Sequence, residues 1–446
     1  MTQLAPEDIA AARALPLLPE QRRFLTRNLP EEHHWNQVAL LKAPAELTAD
    51  HVRSAFLSVI NSHDGLRLCL FGKERGPLGV QARPLDTMPM ESVDLRGLAP
   101  AEAEAALTRE CTRIQGSMRM HQSPLVRLAY FTLDGGERRI LLVIHHFVCD
   151  GLSFGIVLSD LERACRAVLA GRAPSFAPAG TTAADYAIWL TKLLGRPELR
   201  EQIPLWERIG RATDPVPLDR PEANTMATTD TVVAGLGHQD TARLMDEVLP
   251  ARGLGMVDVF LTAAVPTLQG ANGTRGLRTN LIGHGRRGLP EQPNIARTVS
   301  WLSTRYPLTV EVDTAGDFDA QLESVGKQTS EVPMDGAGYG LLRYLGDPET
   351  AARLGASGEP DITVNYLGKQ GGGASTATKL LTRAPESPGP DETESGEREH
   401  VHGIDVLVSG GELKVVWYYS TNQFDRGTVE GYAAELLDRV RGGLLR

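Results

Sequence analysis

The sequence predicts a two-domain protein of mixed class, α/β or α+β. Three observations support this. The chain has 446 residues, more than one hydrophobic core usually organises. Segments with helical and strand periodicity alternate along most of it. A Pro/Gly/Ala-rich stretch, Gly171–Gly180, separates two halves of that kind. The expected division is 1–175 and 176–446.

The first half holds the clearest elements. Thr48 precedes a helix whose apolar residues Val52, Ala55, Phe56, Val59 and Ile60 recur at helical spacing. Asn36–Leu41 before it and Leu66–Phe71 after it read as strands. Leu125–Phe131 and Ile140–Ile144 read as two more, joined through the turn residues Asp134-Gly135-Gly136. A helix over Leu152–Leu169 ends at Gly171. In the second half, Asp258–Leu268 reads as a buried helix. Asn280–Gly283, Tyr306–Val312 and Asp361–Tyr366 read as strands. A last helix starts near Thr428, with Val429, Tyr432, Ala433, Leu436, Leu437 and Val440 on one face. Gly371–Glu399 is Gly/Ser/Thr-rich, then Pro-rich and acidic. It predicts a mobile surface loop over about 369–400.

Composition narrows the function. Net charge is −10 with no basic cluster, which argues against nucleic acid as a partner. No run approaches the roughly 18 uncharged apolar residues of a membrane span. The first residues lack the apolar core of a signal peptide. Cys69, Cys111, Cys149 and Cys165 form no close pair, which predicts reduced thiols and a cytoplasmic setting.

The segment with the most chemistry is Leu141-Leu142-Val143-Ile144-His145-His146-Phe147-Val148-Cys149-Asp150-Gly151. An apolar strand ends in two histidines, and a tight turn starts the next helix. That edge is where α/β folds place ligand sites. Side chains alternate along a strand, so the two imidazoles face opposite sides. An imidazole at a cleft accepts protons near neutral pH. Asp150 is placed to orient the turn, through a buried cation or through backbone N–H groups. The N–H of Gly151, at a helix start, can face a developing oxyanion. Adjacent strand residues point apart and cannot chelate one ion together, so no metal is expected. Cys149 beside the histidines reads as a small buried filler rather than a nucleophile.

This HHxxxDG string resembles the signature of nonribosomal-peptide condensation domains and their relatives. Four further ordered motifs carry the same resemblance. They are Leu15-Pro16-Leu17-Leu18-Pro19-Glu20-Gln21, Ser62-His63-Asp64-Gly65-Leu66-Arg67, Asp185-Tyr186-Ala187-Ile188-Trp189 and Ser420-Thr421-Asn422-Gln423-Phe424-Asp425. The resemblance implies two chloramphenicol-acetyltransferase-like half-domains in a V-shaped pseudo-dimer. It implies His146 as catalytic histidine, with His145 supporting it. Asp150 becomes the structural aspartate, paired with an arginine of the second half. Here that arginine is Arg286, in Gly283-His284-Gly285-Arg286. Asn365 is a substrate-proximal candidate.

Several motifs are similar to those of epimerization domains, among them Arg297-Thr298-Val299-Ser300-Trp301 and Asn365-Tyr366-Leu367-Gly368. Epimerization domains carry a glutamate where this chain has Ile282, and a second where it has Arg287. Isoleucine carries no proton, so the resemblance implies acyl transfer.

The donor implied is an aminoacyl thioester on the phosphopantetheine arm of a separate acyl or peptidyl carrier protein. The acceptor implied is a small-molecule alcohol or amine, and no permanently bound cofactor is needed. The chain starts shortly before the first motif and stops after the last helix. It therefore resembles a free-standing (type II) enzyme, as found in enediyne antibiotic pathways, where a β-aminoacyl group is esterified. The alternatives are a non-catalytic domain that recruits a carrier or an oxygenase, a coenzyme A-dependent acyltransferase, and an epimerase.

Overall fold

A computed structural model describes residues 13–71, 78–81, 83–270, 274–370 and 379–445. The chain packs into two compact units, each a mixed sheet with helices, and strands are numbered in chain order.

The first unit comprises 1–193, 291–302 and 374–393. A small antiparallel sheet joins β1 (Arg13–Leu15), β3 (Leu68–Phe71) and β4 (Leu78–Gln81) in the order β1-β4-β3. The main sheet has five strands, β2 (Asn36–Ala43), β5 (Glu91–Asp94), β6 (Val126–Thr132), β7 (Arg138–His145) and β12 (Thr382–Arg383), in the order β12-β2-β7-β6-β5. Pairing is antiparallel except between β5 and β6. Central β7 is buried on both faces. Ile140, Leu142 and Ile144 pack with helices α2 (Ala49–Ser62) and α4 (Gly151–Leu169). Leu141 and Val143 pack with α3 (Pro100–Gln115).

Helix α2 forms for the reasons its sequence states. The Thr48 hydroxyl accepts the His51 N–H at 3.3 Å, a cap worth about 1 kcal/mol. Its five apolar residues are fully buried, the four larger ones each contributing about 1.5–3 kcal/mol. Leu66 and Arg67, read as strand, belong instead to a 3₁₀ turn over Asp64–Arg67. Buried Arg67 donates there to the carbonyls of Ile60 and Asn61, closing the C-terminus of α2.

The second unit comprises 194–290, 303–373 and 394–446. Its six strands are β8 (Thr229–Leu236), β9 (Thr274–Gly283), β10 (Thr304–Asp313), β11 (Ile362–Gln370), β13 (His402–Ser409) and β14 (Glu412–Ser420). Their order is β10-β9-β11-β13-β14-β8, with β11 parallel to both neighbours. One face is mainly apolar: Leu281, Val310, Val364, Val406, Val415 and Trp417 are buried on it, together with Thr279 and His402. Helices Met256–Gln269 and Arg426–Leu444 supply the other half of this core.

Two expectations are corrected. The boundary near residue 175 lies instead after Leu193, and the first unit takes back 291–302 and 374–393. Long-range capping is the reason. Asp64 accepts the backbone N–H groups of Ala183 and Ala184, both at 3.0 Å, and so anchors the helix Ala183–Leu193. The acidic loop is also more ordered than its composition suggests. Residues 371–378 lie outside the described ones, but 379–399 are held at many points. Glu162 accepts the N–H groups of Leu380 and Leu381. Buried Arg139 forms a bidentate pair with Glu386. Gln115 donates to the carbonyl of Pro388. In the second unit Arg398 N–H donates to the Asn224 carbonyl. A linear reading weighs composition and cannot see partners a hundred or more residues away.

Candidate active site

The apolar strand β7 delivers His145 and His146 to its C-terminal end, and the backbone leaves the sheet through a 3₁₀ turn over His146–Val148. His145 is fully buried. Its Nδ1 accepts the Phe147 N–H at 3.0 Å, which puts the ring proton on Nε2. Nε2 then donates to the Glu32 carbonyl at 2.8 Å. Burial pushes its pKa down to about 3, so the ring is neutral at pH 7. Both nitrogens serve the backbone, and His145 acts as a fastener.

His146 differs in each respect. Its ring is partly exposed. The Trp301 ring lies over it, centroids 4.2 Å apart and planes tilted by 46°. Nδ1 is on the buried side, without a hydrogen-bond partner among the described residues, and Nε2 is the nitrogen that reaches the accessible side. Burial lowers the pKa to about 4, against the opposing pull of Asp150; Glu20 raises it and Arg23 lowers it by smaller amounts. A neutral imidazole with an accessible Nε2 is a proton acceptor at pH 7. The backbone around it is fastened on two sides. His146 N–H donates to the Trp35 carbonyl at 2.8 Å, and the Gln21 side chain donates to the Phe147 carbonyl at 2.7 Å.

Asp150 is the N-cap of α4. One carboxylate oxygen accepts the Ser153 N–H at 2.7 Å, and the other accepts the Leu302 N–H at 2.8 Å. Asp150 N–H donates to the Ser300 carbonyl at 3.1 Å, and the Ser153 hydroxyl donates to the same carbonyl at 2.8 Å. The aspartate therefore stitches segment 300–302 to the helix start. That stitching places Trp301 on His146. Gly151 is the first helical residue and is exposed, with nothing within 4 Å of where a Cβ would stand. Cys149 is fully buried and directs its thiol to the Asp150 carbonyl.

Trp301 is the site residue that sequence reasoning misses. Its motif, RTVSW, carries only a family resemblance there, although a tryptophan in it is large enough to signal a packing role. A second network supports the same segment. Asp160 is buried, accepts from His63 Nε2 at 2.9 Å and binds the Arg297 guanidinium at 2.7 and 2.8 Å. Burial works against ionisation, but the His63 hydrogen bond and the Arg297 guanidinium outweigh it and hold the Asp160 carboxyl below the usual range.

Arg286 and Asn365 lie in the second unit. Arg286 is partly buried, and its backbone N–H donates to the His284 ring at 3.0 Å. Exposed Arg287 pairs with Asp335 at 2.8 Å. Asn365 sits on β11 directly between Ile282 on β9 and Asp405 on β13. Its side chain projects from the same face of the sheet as those of Ile282 and Asp405.

Known proteins share similarity with nearly the whole chain. A family model described as condensation domain matches residues 11–441. A linear gramicidin synthase protein of Brevibacillus parabrevis is 31% identical over 99% of this chain, which spans only 6% of that protein. The solved epimerization domain from the third module of tyrocidine synthetase B has a TM-score of 0.86 and 27% identity, covering 97% of each chain. The first condensation domain of the CDA synthetase gives 0.67 at 18% identity, again covering 97% of each.

Proposed function

Because the chain belongs to the condensation-domain family, we propose that it transfers an aminoacyl group from a carrier-protein phosphopantetheine thioester to an alcohol or amine. The product is an ester or an amide in natural-product biosynthesis, with a β-aminoacyl donor and an enediyne pathway as the setting to test first. The observation that carries this reading is the contrast between two neighbouring histidines: His145 is spent on backbone hydrogen bonds, and His146 keeps a neutral ring with an accessible Nε2.

The step needs no acyl-enzyme. His146 Nε2 takes the proton of the acceptor O–H or N–H as that atom attacks the thioester carbonyl. The C–S bond then breaks, and the imidazolium returns the proton to the departing thiolate. Asp150 supports this by fixing the turn that bears His146, and by its negative charge, which favours the imidazolium. The pairing of Asp150 with Arg286 belongs to the same proposal. A single-turnover mass-spectrometric assay with charged carriers and with diol or amine acceptors tests the reading. Product formation supports it. Failure with every charged carrier, alongside intact carrier binding, replaces it with the recruitment role, and equal rates from coenzyme A thioesters replace it with the coenzyme A reading.

Epimerization is the second reading, favoured by the likeness to the tyrocidine synthetase epimerization domain. Ile282 and Arg287 stand against it, since neither supplies a carboxyl to the opposite face of the α-carbon. Chiral analysis of a carrier-bound aminoacyl group after incubation in D₂O decides it. Deuterium at the α-carbon with loss of chirality supports epimerization, and an unexchanged centre excludes it.

A further inference from the structure

A histidine that serves as a general base usually hands its second ring nitrogen to a carboxylate, which orients the ring and stabilises the imidazolium. His146 is built differently. Its Nδ1 is buried, with no hydrogen-bond partner among the described residues. The Asp150 oxygens go to the backbone N–H groups of Ser153 and Leu302. The close neighbour of the ring is the Trp301 indole, with centroids 4.2 Å apart and planes tilted by 46°. That is inside the roughly 6 Å at which a cation is attracted by an indole face. Trp301 is only 4% exposed, and Phe24 of the helix Pro19–Thr26 backs it at 5.8 Å. The backbone on either side of it is bonded to the start of α4. Ser300 N–H donates to the Ser153 hydroxyl at 3.2 Å, the Ser300 carbonyl accepts from Asp150 and Ser153, and Leu302 N–H donates to Asp150. Four residues ahead of Trp301, Arg297 is held by Asp160 of the same helix. The Val299 carbonyl presses on Gly65, where a Cβ would stand 2.0 Å from its oxygen. Such fastening keeps the indole at one place on the imidazole.

We propose that Trp301 is a positioning residue for His146: its indole face holds the imidazole plane in the resting protein and stabilises the imidazolium once Nε2 has taken the acceptor's proton. The role rests on the acyl-transfer reading, in which His146 is the general base. A buried, charged ring whose Nδ1–H meets no acceptor is costly, so the positive charge needs another source of support. The negative face of an indole supplies it. The neutral ring gains much less from that face. The contact therefore favours the state formed during proton transfer, which raises kcat rather than tightening substrate binding. The other groups that act on the ring are named by their pull. Burial lowers its pKa most; Asp150, the residue's own carbonyl and Glu20 raise it, and Arg23 lowers it. His145, adjacent on β7, is neutral at pH 7.

The test weakens the indole face without changing its shape. The intact chain is produced with tryptophan carrying one, two or three ring fluorines, which withdraw charge from the face. All five tryptophans are replaced together, so the same series in Trp301→Phe, which has no indole at 301, isolates the share of Trp301. In the wild type, kcat should fall stepwise, about three- to tenfold over the series, with KM unchanged. The Trp301→Phe series should be flat, and Trp301→Leu, which keeps no π face, should be slower than Trp301→Phe. A second readout needs no turnover: NMR of the histidine rings, with the His146 signal assigned by its loss in His146→Gln. The pKa of that ring should fall with each fluorine. If no carrier supports acyl transfer but the ring pKa follows fluorination, the role of Trp301 stands and the acyl-transfer reading falls. If transfer proceeds and neither kcat nor the ring pKa responds, the role of Trp301 falls and acyl transfer stands; that outcome needs no variant to fold. A series equally steep in Trp301→Phe overturns the assignment to Trp301.

Discussion

The two sheets of this protein differ in how they make room for chemistry. The first is apolar on both faces. Leu141 and Val143 pack one way and Ile140, Leu142 and Ile144 the other. No polar side chain along the middle of such a strand finds a partner, so its reactive groups collect where β7 ends, at His145 and His146. The second sheet is apolar on one face only. Its other face bears Arg305, Asn365 and Asp405 in one row, with Ile282 between Arg305 and Asn365. One sheet places chemistry by ending, the other by leaving a face uncovered. A site built at a strand end depends on the backbone turn that follows it, whereas a site on a sheet face depends on register.

That contrast can be broken experimentally. The largest effect belongs to His146→Ala, which should lower acyl transfer roughly 10²–10⁴-fold, the usual worth of a general base, with little change in melting temperature. Near-normal turnover would remove His146 from the mechanism. Next comes Asp150→Ala. It strands the N–H groups of Ser153 and Leu302 and should cost about 2–4 kcal/mol in urea unfolding; an unchanged midpoint would show the stitching to be idle. His145→Ala should likewise destabilise, by about 1–3 kcal/mol, since the Phe147 N–H and the Glu32 carbonyl lose their partner. If it instead matched His146→Ala in activity loss at full stability, the division of labour between the two rings would be wrong.

Acidity sharpens the comparison further. His145 and His402 are buried, and burial lowers the pKa of each to about 3. The unfolded chain therefore binds more protons than the folded one between about 6.5 and 3. Their contribution to stability is present above pH 6.5 and is lost as the pH falls through that window. The melting temperature should decline on acidification below pH 6.5, and His402→Phe should flatten the decline. Asp405 has the opposite sign: its raised pKa favours the folded state at low pH and is lost as the pH rises through about 6. The smallest effect is kinetic. With the His146 pKa lowered to about 4, the acid limb of kcat/KM should lie well below the 6.5 of an ordinary histidine, provided the rate is followed before unfolding. A limb near 6.5 would show the ring to be solvated.

Much of the first unit is legible in the sequence. The face Val52, Ala55, Phe56, Val59 and Ile60 is apolar at helical spacing and is buried as that spacing requires. The strand ahead of the histidines announces itself by an unbroken apolar run. β13 and β14 escape a linear reading because their alternation, His402–Ser409 and Glu412–Ser420, mixes polar residues on one face with core residues on the other. Acidic residues 386–399 suggest a loop, because their partners Arg139, Gln115 and Asn224 are distant in the chain.

The sequence by itself determined the family, the order of elements in the first half and the identity of the histidines at the strand end. Each follows from local patterns: periodicity, capping and a short motif. Only the tertiary structure decided which imidazole is free. That depends on Glu32 and Phe147 occupying the nitrogens of His145, and on Trp301 being carried back to His146 by Asp150 and Ser153. Only the strand register set Asp405 beside Asn365. Hydrogen bonds close loops of any length, so they join residues whose spacing in the chain carries no trace of their meeting.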